Sequence, residues 1–315
     1  GFIYSNKPCT VGAIFTENRF QAAPLKHFLQ YEKGFKTNFV LINSKNANAL
    51  TGRKGIENIN TLFSQLDFGL VNPIMSSTGV IGNPLPIEKI VAGAKRFDLT
   101  SKNGENLSKA IMTTDTFQKQ LALEFYIGDK KVTIGSMAKG SGMIEPNMGT
   151  MLSFITTDLS ISPELLNEAL KSSVTVTYNR VSVDGDTSTN DMILILANGL
   201  AENSTITEKD ENYYSFLKII TELNTIMAKN IAKDGEARVV RVAQAESTGQ
   251  PSVARSACHL HIANHAHRVF AFQLDVHHIL LLFGIITQKL AFVGGFVKHA
   301  HILQREVWQV FEHHL

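Results

Sequence analysis

The sequence has 315 residues, 44% of them hydrophobic and 18% charged, with a formal net charge of +2, so it can bury a large core in one or two domains. Its lysines are scattered among acids rather than grouped in a stripe, which argues against nucleic acid or another polyanion as partner. The most apolar run, Ile279 to Ile286, is far too short to span a bilayer, and the first ten residues lack the basic start and apolar core of a leader, so neither membrane insertion nor export is expected and the cytoplasm is the default compartment.

Along the chain, β-branched and aromatic runs ending in glycine or asparagine predict strands over 10–16 (TVGAIFT), 35–44 (FKTNFVLINS), 124–138 (EFYIGDKKVTIGSMA), 151–158 (MLSFITTD) and 192–199 (MILILANG). Helices are expected to alternate with them. Apolar residues at three- and four-residue spacing mark 55–70, 86–97, 163–181 and 211–235. The third of these opens on Ser162-Pro163-Glu164, a cap residue, then proline at the first helical position, then an acid. The pattern is that of a mixed α/β protein.

Near residue 243 the composition changes. Ten of the eleven histidines lie between His259 and His314, and only Asp275, Glu306 and Glu312 are acidic after residue 250. Two readings stay open, a separate domain or an out-of-frame or unrelated terminal sequence. Within it, Cys258, His259, His261, His265 and His267 offer incidental metal affinity. A catalytic zinc is not expected, because the two-histidine protease motif needs a glutamate where Ile262 stands. Cys9 and Cys258 are the only cysteines, too few for a disulfide framework and compatible with a reducing compartment. A start at Gly1 rather than methionine suits a fragment.

Residues 139–154, KGSGMIEPNMGTMLSF, set a flexible loop before a threonine at the head of an apolar strand. One reading is a turn followed by a core strand. The other is chemical. A threonine hydroxyl becomes a useful nucleophile when a base takes its proton, and the α-amine of the same residue serves if that residue begins a chain. Thr150 would gain that amine if its hydroxyl attacked the unhindered carbonyl of Gly149 and the resulting ester hydrolysed. Gly140, Gly142 and Pro146 permit or impose the unusual backbone angles such a step needs. A phosphate cradle is not expected, since glycines at 140, 142 and 149 fit neither the dinucleotide nor the P-loop spacing.

Three further stretches carry polar clusters. Residues 76–86 (SSTGVIGNPLP) form a glycine-rich turn in which backbone N–H groups can converge on a developing oxyanion. Residues 110–117 (AIMTTDTF) gather hydroxyls around Asp115, and 183–192 (VDGDTSTNDM) gather them around Asp184, Asp186 and Asp191. Either cluster suits a polar substrate or a metal as well as ordinary turn chemistry. A calcium loop is not expected in the second, which lacks the terminal glutamate.

Together these stretches resemble the bifunctional ornithine acetyltransferase / glutamate N-acetyltransferase family of arginine biosynthesis. The resemblance is carried by 12–24 (GAIFTENRFQAAP), 43–52 (NSKNANALTG), 77–86, 110–117, 137–158 (MAKGSGMIEPNMGTMLSFITTD), 183–192 and 231–236 (IAKDGE), in the family's order over about three quarters of the chain. It implies a layered α/β fold of mixed sheets and helices and a self-cleaving amino-terminal-threonine enzyme. It also implies an α chain over 1–149, the first part of a β chain over 150–242, and a tail over 243–315 outside the family pattern. Thr150 would take acetyl from N2-acetylornithine and pass it to glutamate, with acetyl-CoA as a further donor in some members. No cofactor and no metal are implied, and the assembly implied is a heterotetramer of two α and two β chains.

By the same resemblance Gly149 and Thr150 flank the cleavage, Thr150 is the nucleophile, and Thr78 with Gly79 form the oxyanion pair. Thr113, Lys139, Thr150 and Glu236 bind substrate; Thr114 suits the role given to Thr113 equally well. Lys139 would neutralise the substrate α-carboxylate, and Glu236 would meet the ammonium of ornithine. The sequence departs from the family at Gly149, where alanine is usual, and at Leu50, often cysteine. It departs most after Glu236, where the family's later asparagine and serine or threonine have no counterpart. The alternatives are an amino-terminal-threonine hydrolase, amidase or aminopeptidase, with water as acceptor, and an inactive truncated member.

Overall fold

The computed structural model describes residues 1–142, 151–182 and 187–235 and the backbone of 241–242. In chain order the strands are β1 (Phe2–Phe15), β2 (Lys36–Asn43), β3 (Ile74–Ser77), β4 (Lys119–Ile127), β5 (Lys130–Lys139), β6 (Leu152–Thr157), β7 (Val181–Ser182), β8 (Met192–Ala197) and β9 (Arg241–Val242). The helices are α1 (Ala23–Phe28), α2 (Gly52–Ser64), α3 (Ile87–Ala94), α4 (Gly104–Ala110), α5 (Pro163–Val176) and α6 (Glu211–Lys233). One seven-stranded sheet runs β3-β2-β1-β8-β6-β5-β4, and β7 pairs with β9 in a separate ribbon. Within the large sheet β2–β3 and β6–β8 are parallel and the other neighbours antiparallel.

Every residue of β6 and β8 is buried, as expected of central strands covered on both faces. Their two-residue period divides the core between those faces. Ile193 and Ile195 of β8 and Ile155 of β6 pack with Leu166 and Leu170 of α5 and with Phe216, Ile220, Leu223 and Met227 of α6. Met192, Leu194 and Leu196 turn the other way, to Leu152 and Phe154 and to Val40 and Ile42 of β2. A third cluster sets Phe39 and Leu41 of β2 and Met75 of β3 against Ile59 and Leu62 of α2 and Val91 of α3.

Local chemistry starts the long helices. The Ser162 side chain accepts the Leu165 N–H at the head of α5, with Pro163 and Glu164 in its first turn, and Asp210 accepts the Tyr213 N–H at 2.9 Å at the head of α6. Gly12 of β1 leaves room for both β8 and α5, since a Cβ there would stand 2.7 Å from Ile195 Cγ2 and 3.3 Å from Leu166 Cγ.

Several expectations need correction. The stretch 124–138 is not one strand but a hairpin. Ile127 pairs with Lys130 across Gly128-Asp129, and Gly128 has φ +60, the two-residue turn for which a glycine-aspartate step is suited. Helices therefore do not alternate with strands throughout, as β4 and β5 follow each other directly. Strand β1 begins eight residues earlier than expected, at Phe2 rather than residue 10. The short elements α1, β3 and α4 were not expected, being of 6, 4 and 7 residues and too brief to show a period. Helix α2 ends at Ser64 and α5 at Val176, where Thr177 leaves helical geometry before a 3-10 turn over Tyr178–Arg180. Readings of the histidine-rich segment lie outside the described residues. Among the described residues no helix is long and apolar enough to cross a membrane.

Candidate active site

Strand β5 ends at Lys139, whose Cα partner is Leu152 at the start of β6, and Leu152 in turn pairs with Met192 at the start of β8. The connection carrying Gly149 and Thr150 therefore leaves and re-enters the sheet between neighbouring strands. Gly149 and Thr150 themselves lie outside the described residues, as do Glu236, Asp184 and Asp186. Both flanks of that connection are described.

On the downstream flank, the peptide of Met151 is held at both ends. Its N–H donates to Asp191 Oδ1 at 2.9 Å, and its carbonyl accepts the Met192 N–H at 3.3 Å. Asp191 is 1% exposed, and its Oδ2 has no hydrogen-bond partner among the described residues. Burial raises this carboxyl well above the usual carboxylate range, opposed by the Met151 N–H, the Ser188 hydroxyl and the charge of Lys139. The preceding residue, Asn190, donates from Nδ2 to the carbonyls of Ala47 at 2.6 Å and Ser77 at 2.9 Å. That amide fastens the start of β8 to the end of β3.

On the upstream flank, Lys139 is 3% exposed and its Nζ donates to Thr78 Oγ1 at 3.2 Å. Thr78, just past β3, is buried as well, and its backbone N–H donates to the Asn43 carbonyl at 3.0 Å. Gly79 has φ +127, and a Cβ there would lie 2.2 Å from the carbonyl carbon of Lys45. Only glycine fits such a backbone crossing. The crossing is fixed by Val80 N–H to Lys45 O at 3.1 Å and Ala47 N–H to Val80 O at 2.9 Å. Thr78, Gly79 and Lys139, named separately in the sequence, thus lie together.

Thr113 joins them through a buried ion cluster. Its N–H donates to Asp115 Oδ2 at 3.0 Å, and Asp115 Oδ1 accepts the Gly140 N–H at 2.7 Å and Lys119 Nζ at 2.7 Å. Lys119 also reaches Asp234 Oδ2, at 2.5 Å. Thr114, the other choice for the role of Thr113, has its hydroxyl 2.6 Å from Ser141 Oγ. Burial alone would raise both aspartates. Hydrogen bonds outweigh it, from Gly140, Lys119 and Thr113 to Asp115 and from Lys119 and Thr116 to Asp234, and hold both below the usual range.

Sequence reasoning missed Lys119, Asn190 and the particular part played by Asp191. Asp191 was visible as one acid in a polar cluster, and Lys119 as a charge four residues beyond Asp115. Neither signal shows burial. Cys9 is no rival nucleophile, because burial pushes its thiol up to about 11. Among the described residues no group of three His, Cys, Asp or Glu side chains converges to hold a metal ion.

These contacts define an α/β protein with a buried lysine-hydroxyl contact and a buried carboxyl flanking one threonine-bearing connection of its central sheet. The chain belongs to the ArgJ family, whose model matches residues 1–263. It is 43% identical over 243 residues to the arginine biosynthesis bifunctional protein ArgJ of Listeria monocytogenes, covering 75% of this chain and 61% of that one. To the arginine biosynthesis bifunctional protein ArgJ 1 of Clostridium acetobutylicum it is 47% identical over 240 residues, covering 74% and 59%. The chain thus spans about three fifths of the length of these relatives. Among solved structures, ornithine acetyltransferase complexed with ornithine from Mycobacterium tuberculosis matches with 30% identity and a TM-score of 0.39, covering 48% of this chain and 82% of that one.

Proposed function

We propose that this chain supplies the acyl-transfer site of an arginine-biosynthesis acetyltransferase, cleaving itself between Gly149 and Thr150 and then using Thr150 as nucleophile. In the first step the Thr150 hydroxyl attacks the Gly149 carbonyl carbon and its proton passes to the departing Thr150 nitrogen. Water then hydrolyses the ester, leaving a carboxylate on Gly149 and a free amine on Thr150. In the transfer step that amine takes the hydroxyl proton while the oxygen bonds the acetyl carbon of N2-acetylornithine. Ornithine leaves with the proton, and glutamate removes the acetyl group in a second displacement. A ping-pong rate law follows from the covalent intermediate.

The contact between Lys139 Nζ and Thr78 Oγ1, at 3.2 Å, carries this reading. The Thr78 N–H is committed to Asn43, so the donor Thr78 offers to an oxyanion is its hydroxyl. With its oxygen accepting from a lysine ammonium, that hydroxyl is a stronger donor of its own hydrogen, since bonds in such a chain polarise one another. Gly79 offers its N–H beside it, and paired donors of this kind stabilise the tetrahedral intermediate of acyl transfer. Lys139 therefore serves Thr78 in addition to any substrate carboxylate. Thr113 and Thr114 are both exposed residues, and because the Thr114 hydroxyl is held at Ser141, Thr113 is the better candidate for substrate.

The relatives at 43% and 47% identity named for arginine biosynthesis support the choice of substrates, and the heterotetramer, the cytoplasmic setting and acetyl-CoA as a further donor rest on the family. Cleavage would not release the two pieces, because β5 pairs with β6 and β1 with β8 across the cut.

Denaturing mass spectrometry tests the reading. The parent chain is expected as two fragments meeting at Gly149 and Thr150, the second gaining one acetyl group when N2-acetylornithine is supplied without glutamate. Thr150→Ala is expected to stay at 34.7 kDa and to take up none. Acetyl transfer at undiminished rate by an uncut chain would refute the proposal. Free acetate released without an acceptor would instead mark a hydrolase.

A further inference from the structure

Three charged side chains, Asp115, Lys119 and Asp234, have 0–1% of their side-chain surface exposed. Two carboxylates and one ammonium leave that group with one excess negative charge, and buried charge is tolerated only where it is paired and hydrogen-bonded. Here all four carboxylate oxygens accept. Asp115 takes Lys119, Gly140 N–H and Thr113 N–H. Asp234 takes Lys119, Thr116 N–H at 3.1 and 3.2 Å, and the Thr116 hydroxyl. The Phe117 ring covers Lys119, its centroid 4.8 Å from Nζ.

An acid is poorly placed for helix stability at the carboxyl end of a helix, where the dipole favours cations, yet Asp234 stands at the C-cap of α6. Its partner is Lys119, which precedes it by 115 residues. The bonds of the cluster end beside substrate positions. Thr113 donates its own N–H, Gly140 adjoins Lys139, and Asp234 precedes Glu236 by two residues. Asp115 and Lys119 lie before the cut and Asp234 after it.

We propose that Lys119 is a positioning residue for the substrate, holding in register, across the cleavage, the segments that carry Thr113 and Lys139 and the end of α6. This rests on the acetyltransferase reading above. Self-cleavage needs no substrate and therefore reports separately on that reading.

The test uses the full chain carrying Asp234→Asn, which keeps an acceptor for Thr116 but removes one charge of the link, and Lys119→Met, which removes its centre. Cleavage is followed by mass and acetyl transfer by initial rates. The expected result for Asp234→Asn is cleavage to the parental extent, kcat within about threefold, and KM for N2-acetylornithine raised about tenfold. Lys119→Met is expected to raise KM further, and Lys119→Arg to return it toward the parent value. Variants that cleave normally at parental KM overturn the proposal alone. So does a uniform fall of cleavage, kcat and melting temperature in Asp234→Asn with KM unmoved, which is what a purely structural cluster would give. A parent chain that stays whole and inactive overturns the acetyltransferase reading and this proposal with it.

Discussion

Gly79→Ala is expected to lower acetyl transfer by at least about a hundredfold and to destabilise the fold by about 3 kcal/mol. The new Cβ would stand 2.2, 2.5 and 2.6 Å from the carbonyl carbon, Cα and oxygen of Lys45, all of them backbone atoms that no rotamer change can clear. Overpacking of that kind costs about 1–3 kcal/mol, and holding a residue with a side chain at φ +127 adds about 1–3 kcal/mol. Relief requires the turn to lift from Lys45; under the oxyanion role proposed for Gly79 this would carry its N–H away from the reacting carbonyl, and loss of one oxyanion donor costs about a hundred- to a thousandfold in kcat. Gly82→Ala is the control. Gly82 also has positive φ, +87, but an added Cβ meets nothing within 4 Å, so that variant carries conformational strain without displacing the donor. Urea denaturation and initial rates on both variants decide the matter, and equal loss of rate in the two would remove the oxyanion role from Gly79.

The second large effect is expected at Asp191. Asp191→Ala strips the Met151 N–H of its acceptor in a site closed to water, at a cost of about 1–3 kcal/mol. It also frees the peptide that follows Thr150, so cleavage is expected to slow at least about tenfold, read from a time course of fragment appearance. Asp191→Asn keeps an oxygen for that N–H and isolates the charge. Because burial raises the folded-state pKa of Asp191, the native chain binds its proton more tightly than the unfolded chain does. The contribution to stability is therefore full below the ordinary carboxylate pKa and is lost as pH climbs toward the raised value. In an uncleavable Thr150→Ala background, Asp191→Asn is expected to melt near its Asp191 counterpart at about pH 4, at the foot of the titration, and above it at pH 7. A difference that is constant with pH would show that the carboxyl does not titrate in this window. Lys139, Ser188 and the Met151 N–H face the group, so the lysine charge limits the gain.

Much of the molecule was legible without coordinates. The head of α5 is local chemistry, and MILILA and LSFITT read as strands. The hairpin at Gly128-Asp129 was not read from the sequence, where a continuous run of β-forming residues hid it. What a run of sequence does not disclose is where a strand folds back, because both arms have the same composition and only pairing tells them apart. For the site, Thr78, Gly79, Thr113 and Lys139 were reached by resemblance, whereas their meeting was not.

By itself the sequence determined this protein's α/β class, most of its longer strands and helices, the cap of α5 and the family to which it belongs, since all of these depend on neighbouring residues or on matched words. Only the tertiary structure decided that Lys119 is paired with Asp234, that Asp191 holds Met151, and that Lys139 reaches Thr78. Each of these is a contact between residues 40 or more positions apart. Whether such a charge is solvated or buried depends on which strands close around it, and a charge four residues from an acid reads identically in either case.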